Sequence, residues 1–319
     1  MSELVAEIGD PGVPAPGSPT RARQVLRRLR SDRPALAGLV VTAVLVLAAV
    51  FAPLLAAIEG QDTTTFHTQL LDSARGGVPR GALGGVSANH WLGVEPTTGR
   101  DLFARALYGA RISFTVAFGT LVVQLLLGVA IGLAAGFGGR VVDATLGRLI
   151  DLAISFPQLM FAIALLAIVP QSFPRPVLLM LVIGLFNWGG TARLTRGQVL
   201  SLKSRDYVAA ARLSGAAPAR IALREILPGA LPQVLTYAAI LLPANMVSEA
   251  GLSFLGVGVH PPTSSWGQML STATTWFRAD PMYVLVPGLS LLTAVLAFTL
   301  FADGLRAALD PKASLRGGR

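Results

Sequence analysis

No cysteine occurs in this chain, so disulfides and thiol chemistry are excluded. Charge is scarce as well. Asp, Glu, Lys and Arg make up 13% of the residues, against about 25% in a typical soluble domain. Lysine is almost absent, with Lys203 and Lys312 alone, and neither follows a glycine, so no Gly-x-x-x-x-Gly-Lys phosphate loop is present. The three histidines, His67, His90 and His260, are far apart and form no His-Glu-x-x-His signature. No Gly-x-Ser-x-Gly nucleophile elbow occurs. ATP hydrolysis on this chain and zinc or serine hydrolase chemistry therefore have no support.

What the chain has is length without charge. Residues 34–58, 112–139, 152–174, 176–192, 226–248 and 281–302 contain no Asp, Glu, Lys or Arg. Crossing a bilayer core takes about 20 apolar residues. Five of the runs reach that length. The short run 176–192 is followed by Arg193 and Arg196, which can snorkel from a helix that continues to about Val199. A seventh charge-free run, 250–277, holds Pro261, Pro262 and many small polar residues, and reads as an ordered loop. The first run is longer than the core of a secretory signal and reads as an uncleaved span. The expectation is an all-α membrane protein with six transmembrane helices.

Six spans put both termini on one side. With the termini inside, 19 of the 26 basic residues lie on inside segments and 7 on outside segments. The positive-inside rule then places both termini in the cytoplasm of a bacterial cell. The net charge of +9 reads as topology control and attraction to anionic lipid, not as nucleic-acid binding. Residues 1–33 read as a disordered, Pro/Gly-rich start followed by a basic stretch. Residues 34–58 form the first span, 59–111 an extracytoplasmic segment, 112–311 the main transmembrane domain with a cytoplasmic loop at 199–228, and 312–319 a tail.

That loop is the most informative segment. Residues 206–228 form a polar, basic island that reads as two short helices. The first ends near Gly215, because glycine enters the left-handed conformation without a Cβ penalty. Pro218 suits the first turn of the second helix, and Pro228 is expected to end or kink it. Span two carries Gly128, Gly132 and Gly136 on one helix face, which permits close packing. Polar residues inside the spans are Gln124, Gln158, Asn187, Gln233 and Asn245, with Glu249 at the end of span five. Each is a candidate for pathway lining or for a helix–helix hydrogen bond. Glu249 is also placed to cap a loop through backbone N–H groups. Asp151 lies one helical turn from Arg148, and Asp303 one turn from Arg306, as structural ion pairs. Trp266 and Trp276 read as membrane-interface anchors. Gly251, Gly256 and Gly258 with Pro261-Pro262 are expected to turn the chain sharply after span five.

These residues carry a resemblance. Ala209-Ala210-Ala211, Arg212, Gly215 and Ile226-Leu227-Pro228 resemble the "EAA" loop of bacterial ABC importer permeases, with Ala209 where that family has Glu. Residues 90–113 resemble a second family pattern, with Val94-Glu95 in place of Thr-Asp. Ser248-Glu249-Ala250-Gly251-Leu252-Ser253-Phe254-Leu255-Gly256, followed by Pro261-Pro262 and Trp266-Gly267, is similar to a third. Asp303-Gly304-Leu305-Arg306 with Leu309-Asp310-Pro311 is similar to the family's C-terminal end. Together they resemble the C-type (DppC/OppC-like) permease of dipeptide, oligopeptide and nickel ABC importers, over about residues 90–311. The resemblance implies a type I importer permease fold and a coupling role for the 206–228 loop. It implies a homologous B-type permease, two ATPase subunits or one fused ATPase, and an extracytoplasmic binding protein as partners. ATP and Mg would sit on the ATPase subunits and no cofactor on this chain. Nickel or another small solute is the alternative cargo. An ion-coupled secondary transporter would want paired intramembrane acids, which are not evident.

Overall fold

The computed structural model describes residues 29–170 and 172–309. The expectations for the first residues and the tail, Asp310 and Pro311 included, lie outside the described residues. Helix α1 (Arg33–Val50) is capped by Asp32, whose Oδ1 accepts from Ala35 N at 3.1 Å. The ladder breaks at Phe51, where Pro53 has no N–H to give, and resumes as α2 (Ala52–Glu59). The segment that follows is a set of short turns around a two-residue hairpin, β1 (Leu71–Asp72) against β2 (Val78–Pro79), in register Leu71↔Pro79.

Asp101 starts α3 (Leu102–Phe137) by accepting from Ala104 N at 2.7 Å. At 1.5 Å per residue this helix is about 54 Å long, well beyond the roughly 30 Å hydrocarbon core. Its first turns therefore belong to the 59–111 segment. Next come α4 (Arg140–Ser155) and α5 (Gln158–Ile168), bent by 80° at a break between them. The single span expected at 152–174 is thus two pieces. Pro157 sits at the break, and a proline disfavours helical dihedrals in the residue before it. Helix α6 (Arg175–Lys203) carries Arg193 and Arg196 inside it. After it come α7 (Asp206–Leu213), α8 (Pro218–Phe254), α9 (Trp266–Ala273) and α10 (Pro281–Leu309). Among the described residues five helices are long and apolar enough to cross a membrane, and the bent α4–α5 pair, taken as one span, makes a sixth.

Pro228 does not end α8. A π-helical turn at Ile221–Ile226 lets Leu227 N–H reach Ala222 O, five residues back. The widened turn passes the proline ring, and the helix runs on to Phe254. Gly251 likewise lies inside α8; the sharp turn waits until Gly256, with φ +78°.

The tightest seam joins α3 to α6. A Cβ added at Gly128 would stand 2.5 Å from Thr191 Cβ, at Gly132 2.5 Å from Ala192 O, and at Gly136 2.7 Å from Val199 Cβ. Backbones approach this closely only where side chains are absent. Helix α1 seats against α10 in the same way, with Gly38 over the Ala297 carbonyl and Gly304 over Ala35. The largest core joins Phe114, Leu242, Met246, Trp266, Met269, Tyr283 and Phe298. Trp266 is not the interface anchor expected. It is buried, edge-on to Phe114 at 5.4 Å, and its Nε1 donates to Ala106 O at 3.0 Å. Trp276 packs half-buried against the same cluster.

Gly132→Leu should force α3 and α6 apart at a cost of about 1–3 kcal/mol, read as a lower melting temperature in detergent. Gly197, in the same α6, has nothing within 4 Å of its would-be Cβ. Gly197→Ala should be neutral or stabilising by a few tenths to about 1 kcal/mol. Equal melting temperatures for Gly132→Leu and wild type would contradict this seam.

Candidate coupling loop and polar sites

The 199–228 loop is a compact knob. Helix α7 closes through Ser214 N→Ala210 O at 2.9 Å and Ala216 N→Ala211 O at 3.1 Å, and Gly215 between them has φ +76°. Beneath the knob Val199, Val208, Ile221 and Ile226 form a small core with Leu133, Phe137 and Leu202. The loop is therefore bolted to the ends of both α3 and α6. Lys203 adds a second fastening that sequence reasoning missed. Its Nζ donates to the carbonyls of Gly136, Phe137 and Gly138 at 3.3, 2.9 and 3.3 Å. These are orphan carbonyls at the end of α3, where a cation also meets the negative end of the helix dipole.

The candidate loop residues divide by exposure. Ala209, Ala210, Arg212, Gly215 and Pro228 are exposed, Ala211 and Leu227 are half-buried, and Ile226 is buried in the core. The outer face carries Leu213, 91% exposed, with Tyr207 and Leu223. Beside it a concavity of about 470 Å³ is lined by Ala211, Ser214, Gly215, Ala216, Ala217, Arg220 and Glu225.

The candidate pathway residues are spent differently. Gln124 on α3 and Asn245 on α8 are buried and bonded reciprocally, Gln124 Nε2→Asn245 Oδ1 at 2.9 Å and Asn245 Nδ2→Gln124 Oε1 at 3.0 Å. Glu249, fully buried, caps no backbone N–H. It accepts from the hydroxyls of Ser113 and Ser253, each at 2.8 Å. The Ser253 hydroxyl in turn accepts from Val259 N at 3.1 Å, which holds the loop after α8. Asn187 bonds back to Ile183 O within α6 at 3.0 Å. Gln158 is half-buried beside the α4–α5 break, and Gln233 is exposed on α8. The structure thus pairs Gln124 with Asn245 and brings none of the other candidates into that pair.

The expected ion pairs also differ. Asp151 binds Arg193 on α6 at 2.7 Å, not Arg148 on its own helix, and Asp143 binds Arg196 at 2.5 Å. Both contacts tie α4 to α6, because the break at Pro157 lays α4 across that helix. Among the described residues no ion pair joins Asp303 to Arg306.

A buried charge cluster stands at the head of α3. Glu95, 1% exposed, pairs with Arg100 at 2.9 Å and with Arg105 at 2.5 Å. Tyr283 Oη donates to Glu95 at 3.4 Å. The Arg105 guanidinium also donates to Pro262 O at 3.3 Å and to Gln268 Oε1 at 3.0 Å. One acid thereby gathers the 90–101 segment, α3, α9 and α10. The signal was visible as Glu95, Arg100 and Arg105 at five-residue spacing, but spacing alone does not show burial. Breaking a buried pair from one side strands the other charge, at about 3–5 kcal/mol. Glu95→Gln should therefore lower the melting temperature in nanodiscs markedly; an unchanged transition would show that the pair is solvated.

Comparison with known proteins accords with this architecture. The family model described as "binding-protein-dependent transport system inner membrane component" matches residues 128–315, and "N-terminal TM domain of oligopeptide transport permease C" matches residues 20–71. The dipeptide transport system permease protein DppC of Alkalihalophilus pseudofirmus is 34% identical over 290 residues, 91% of this chain and 90% of the relative. The oligopeptide transport system permease protein OppC of Escherichia coli K12 is 35% identical over 286 residues, 90% and 89% of the two chains. The glutathione transport system permease protein GsiD of Shigella flexneri is 35% identical over the same shares. Among solved structures, a chain of the MetNI methionine ABC transporter superposes with a TM-score of 0.50 at 19% identity, over 64% of this chain and 95% of that one. That likeness speaks to the fold alone. With six apolar spans, the glycine seam and matches that cover most of its length, this chain belongs to the binding-protein-dependent transport system inner membrane components, as a DppC/OppC-like permease of the bacterial inner membrane.

Proposed function

We propose that this chain is one of two permease subunits of an ABC importer that brings di- or oligopeptides into the cytoplasm. The relatives named as dipeptide, oligopeptide and glutathione permeases support that cargo class. The observation that carries the mechanism is the knob at 206–228. It exposes Leu213 and Arg212 beside a concavity, while its underside is packed onto the ends of α3 and α6. A helix presented to a groove is a recurrent docking mode. Force applied to such a knob passes directly to two long helices, and the glycine seam makes those helices move together.

In this reading two ATPase subunits, or one fused ATPase, hold ATP and Mg and receive the knob. A homologous B-type permease supplies the facing wall of the pathway, and an extracytoplasmic binding protein delivers cargo. The exposed Gln233 faces away from its own subunit and is a candidate for that wall. Gln124, Asn245 and Glu249 act as helix-to-helix fasteners, and Gln158 and Asn187 lie at the bent α4–α5 pair and on α6. Both termini and the knob are cytoplasmic in this orientation.

Reconstitution tests the reading. The purified chain in liposomes should give no peptide uptake with or without ATP or an ion gradient, and uptake should appear when the partner permease, ATPases and binding protein are added. In that complex Gly215→Val should insert normally yet uncouple ATP hydrolysis from uptake. No atom crowds a Cβ at Gly215, so the penalty is the positive φ alone, about 1 kcal/mol or more. Gly215→Asn should keep most activity, because asparagine tolerates that conformation. Gradient-driven uptake by the chain alone would sink the proposal.

Orientation has its own test. Ser87, Thr263 and Ser204 are all exposed, and no native cysteine competes. An impermeant thiol reagent on intact cells should label Ser87→Cys and Thr263→Cys and spare Ser204→Cys. Labelling of position 204 from outside would reverse the assignment.

A further inference from the structure

Glu59 ends α2 with 9% of its surface exposed, and only one of its carboxyl oxygens has a donor. Oε1 accepts from Trp91 N at 2.7 Å, while Oε2 is buried and no donor reaches it. A second carboxyl, Asp101, lies within side-chain hydrogen-bonding reach of Glu59. Asp101 is fully buried and already engaged on both oxygens, by Ala104 N at 2.7 Å and by His90 Nδ1 at 2.8 Å. Ionised carboxylates only accept hydrogen bonds, so two of them in contact repel and leave Oε2 unsatisfied. A single proton between them replaces that repulsion with a hydrogen bond and relieves a buried carboxylate that has too few donors.

We propose that Glu59 and Asp101 bind one proton between them, forming a clasp that fastens residues 87–101 and the head of α3 to the end of α2. It opens when the proton leaves.

The surroundings agree. Burial pushes Glu59 up to about 7 and Asp101 up to about 6. Burial also holds His90 below its ordinary value, against the pull of Glu59, and its Nδ1 lies 2.8 Å from Asp101 Oδ2. His67 stands edge-on to His90 at 4.9 Å and is lowered by burial too, with Asp62 acting on it from the other side. Glu95 raises Asp101 further, but Arg100 and Arg105 neutralise it. Among the described residues no Lys or Arg pairs with Glu59.

The sign follows from linkage. The pair keeps its one shared proton in the folded state at pH values where the unfolded chain would already have lost it. The clasp is complete below Glu59's ordinary value of 4.5 and is lost as pH rises through about 7. This depends on the fold and not on the cargo, so a failure of peptide uptake in reconstitution leaves it standing.

Hydrogen exchange of the full chain in nanodiscs reads the clasp at the Trp91 amide, which donates directly to Glu59. Glu59→Gln keeps the Oε1 acceptor and offers Asp101 an amide donor, so its clasp needs no proton. Dividing the wild-type exchange rate by that of Glu59→Gln at each pH removes the intrinsic pH dependence of exchange. The ratio should be near one at about pH 5.5 and rise above about pH 7 by up to about tenfold per unit. Glu59→Ala should exchange fast throughout, marking the open state. A ratio that stays flat to about pH 8.5 overturns the proposal, whether the wild type follows the Gln or the Ala variant. Should the Ala variant fail to fold, the ratio of wild type to Gln still decides.

Discussion

The α3–α6 seam is the constraint on which the rest of the structure depends. In lipid, helices gain little from hiding apolar surface from one another, and close backbone packing must supply the association instead. Gly128, Gly132 and Gly136 provide that packing against Thr191, Ala192, Thr195 and Val199. Where the seam ends, Lys203 closes the last carbonyls of α3, and Val199 starts the small core under the knob. The 206–228 loop is therefore continuous with the most tightly packed pair of spans.

Paired buried polar groups do much of the remaining fastening. Gln124 and Asn245 exhaust one another, Glu249 is held by two hydroxyls, and Glu95 is held by two guanidiniums. In a low-dielectric interior an unmatched polar group is costly, which makes such pairs strong determinants of which helices meet. The head of α3 concentrates them. Asp101 caps the helix, binds His90 and faces Glu59, while Arg105 one turn later reaches α9 and the loop before it.

Much of this was legible in the residues. Six charge-free runs forecast six spans, and the Gly128, Gly132 and Gly136 stripe pointed to a packed face because helical periodicity alone aligns residues four apart. Gly215 was readable as a left-handed helix end because few residues tolerate positive φ. Pro228 did not stop its helix, although proline withholds a bond from it. The π turn that accommodates it depends on five-residue bonding by Leu227, which no local pattern announces. Trp266 misled because the aromatic belt is a statistical preference, whereas its place here is decided by Phe114 and Ala106 from another helix.

What the sequence by itself determined is local and additive: which stretches are apolar enough to cross a bilayer, where helices start and stop, and which faces are free of side chains. Those properties follow from hydrophobicity, dihedral preference and the 3.6-residue period. What only the tertiary structure decided is pairing. Asp151 met Arg193 and not Arg148, Gln124 met Asn245, Glu249 met Ser113, and Glu59 met Asp101. Each partner lies 40 or more residues away in the chain, brought close by helix packing, and burial then set the strength of the contact.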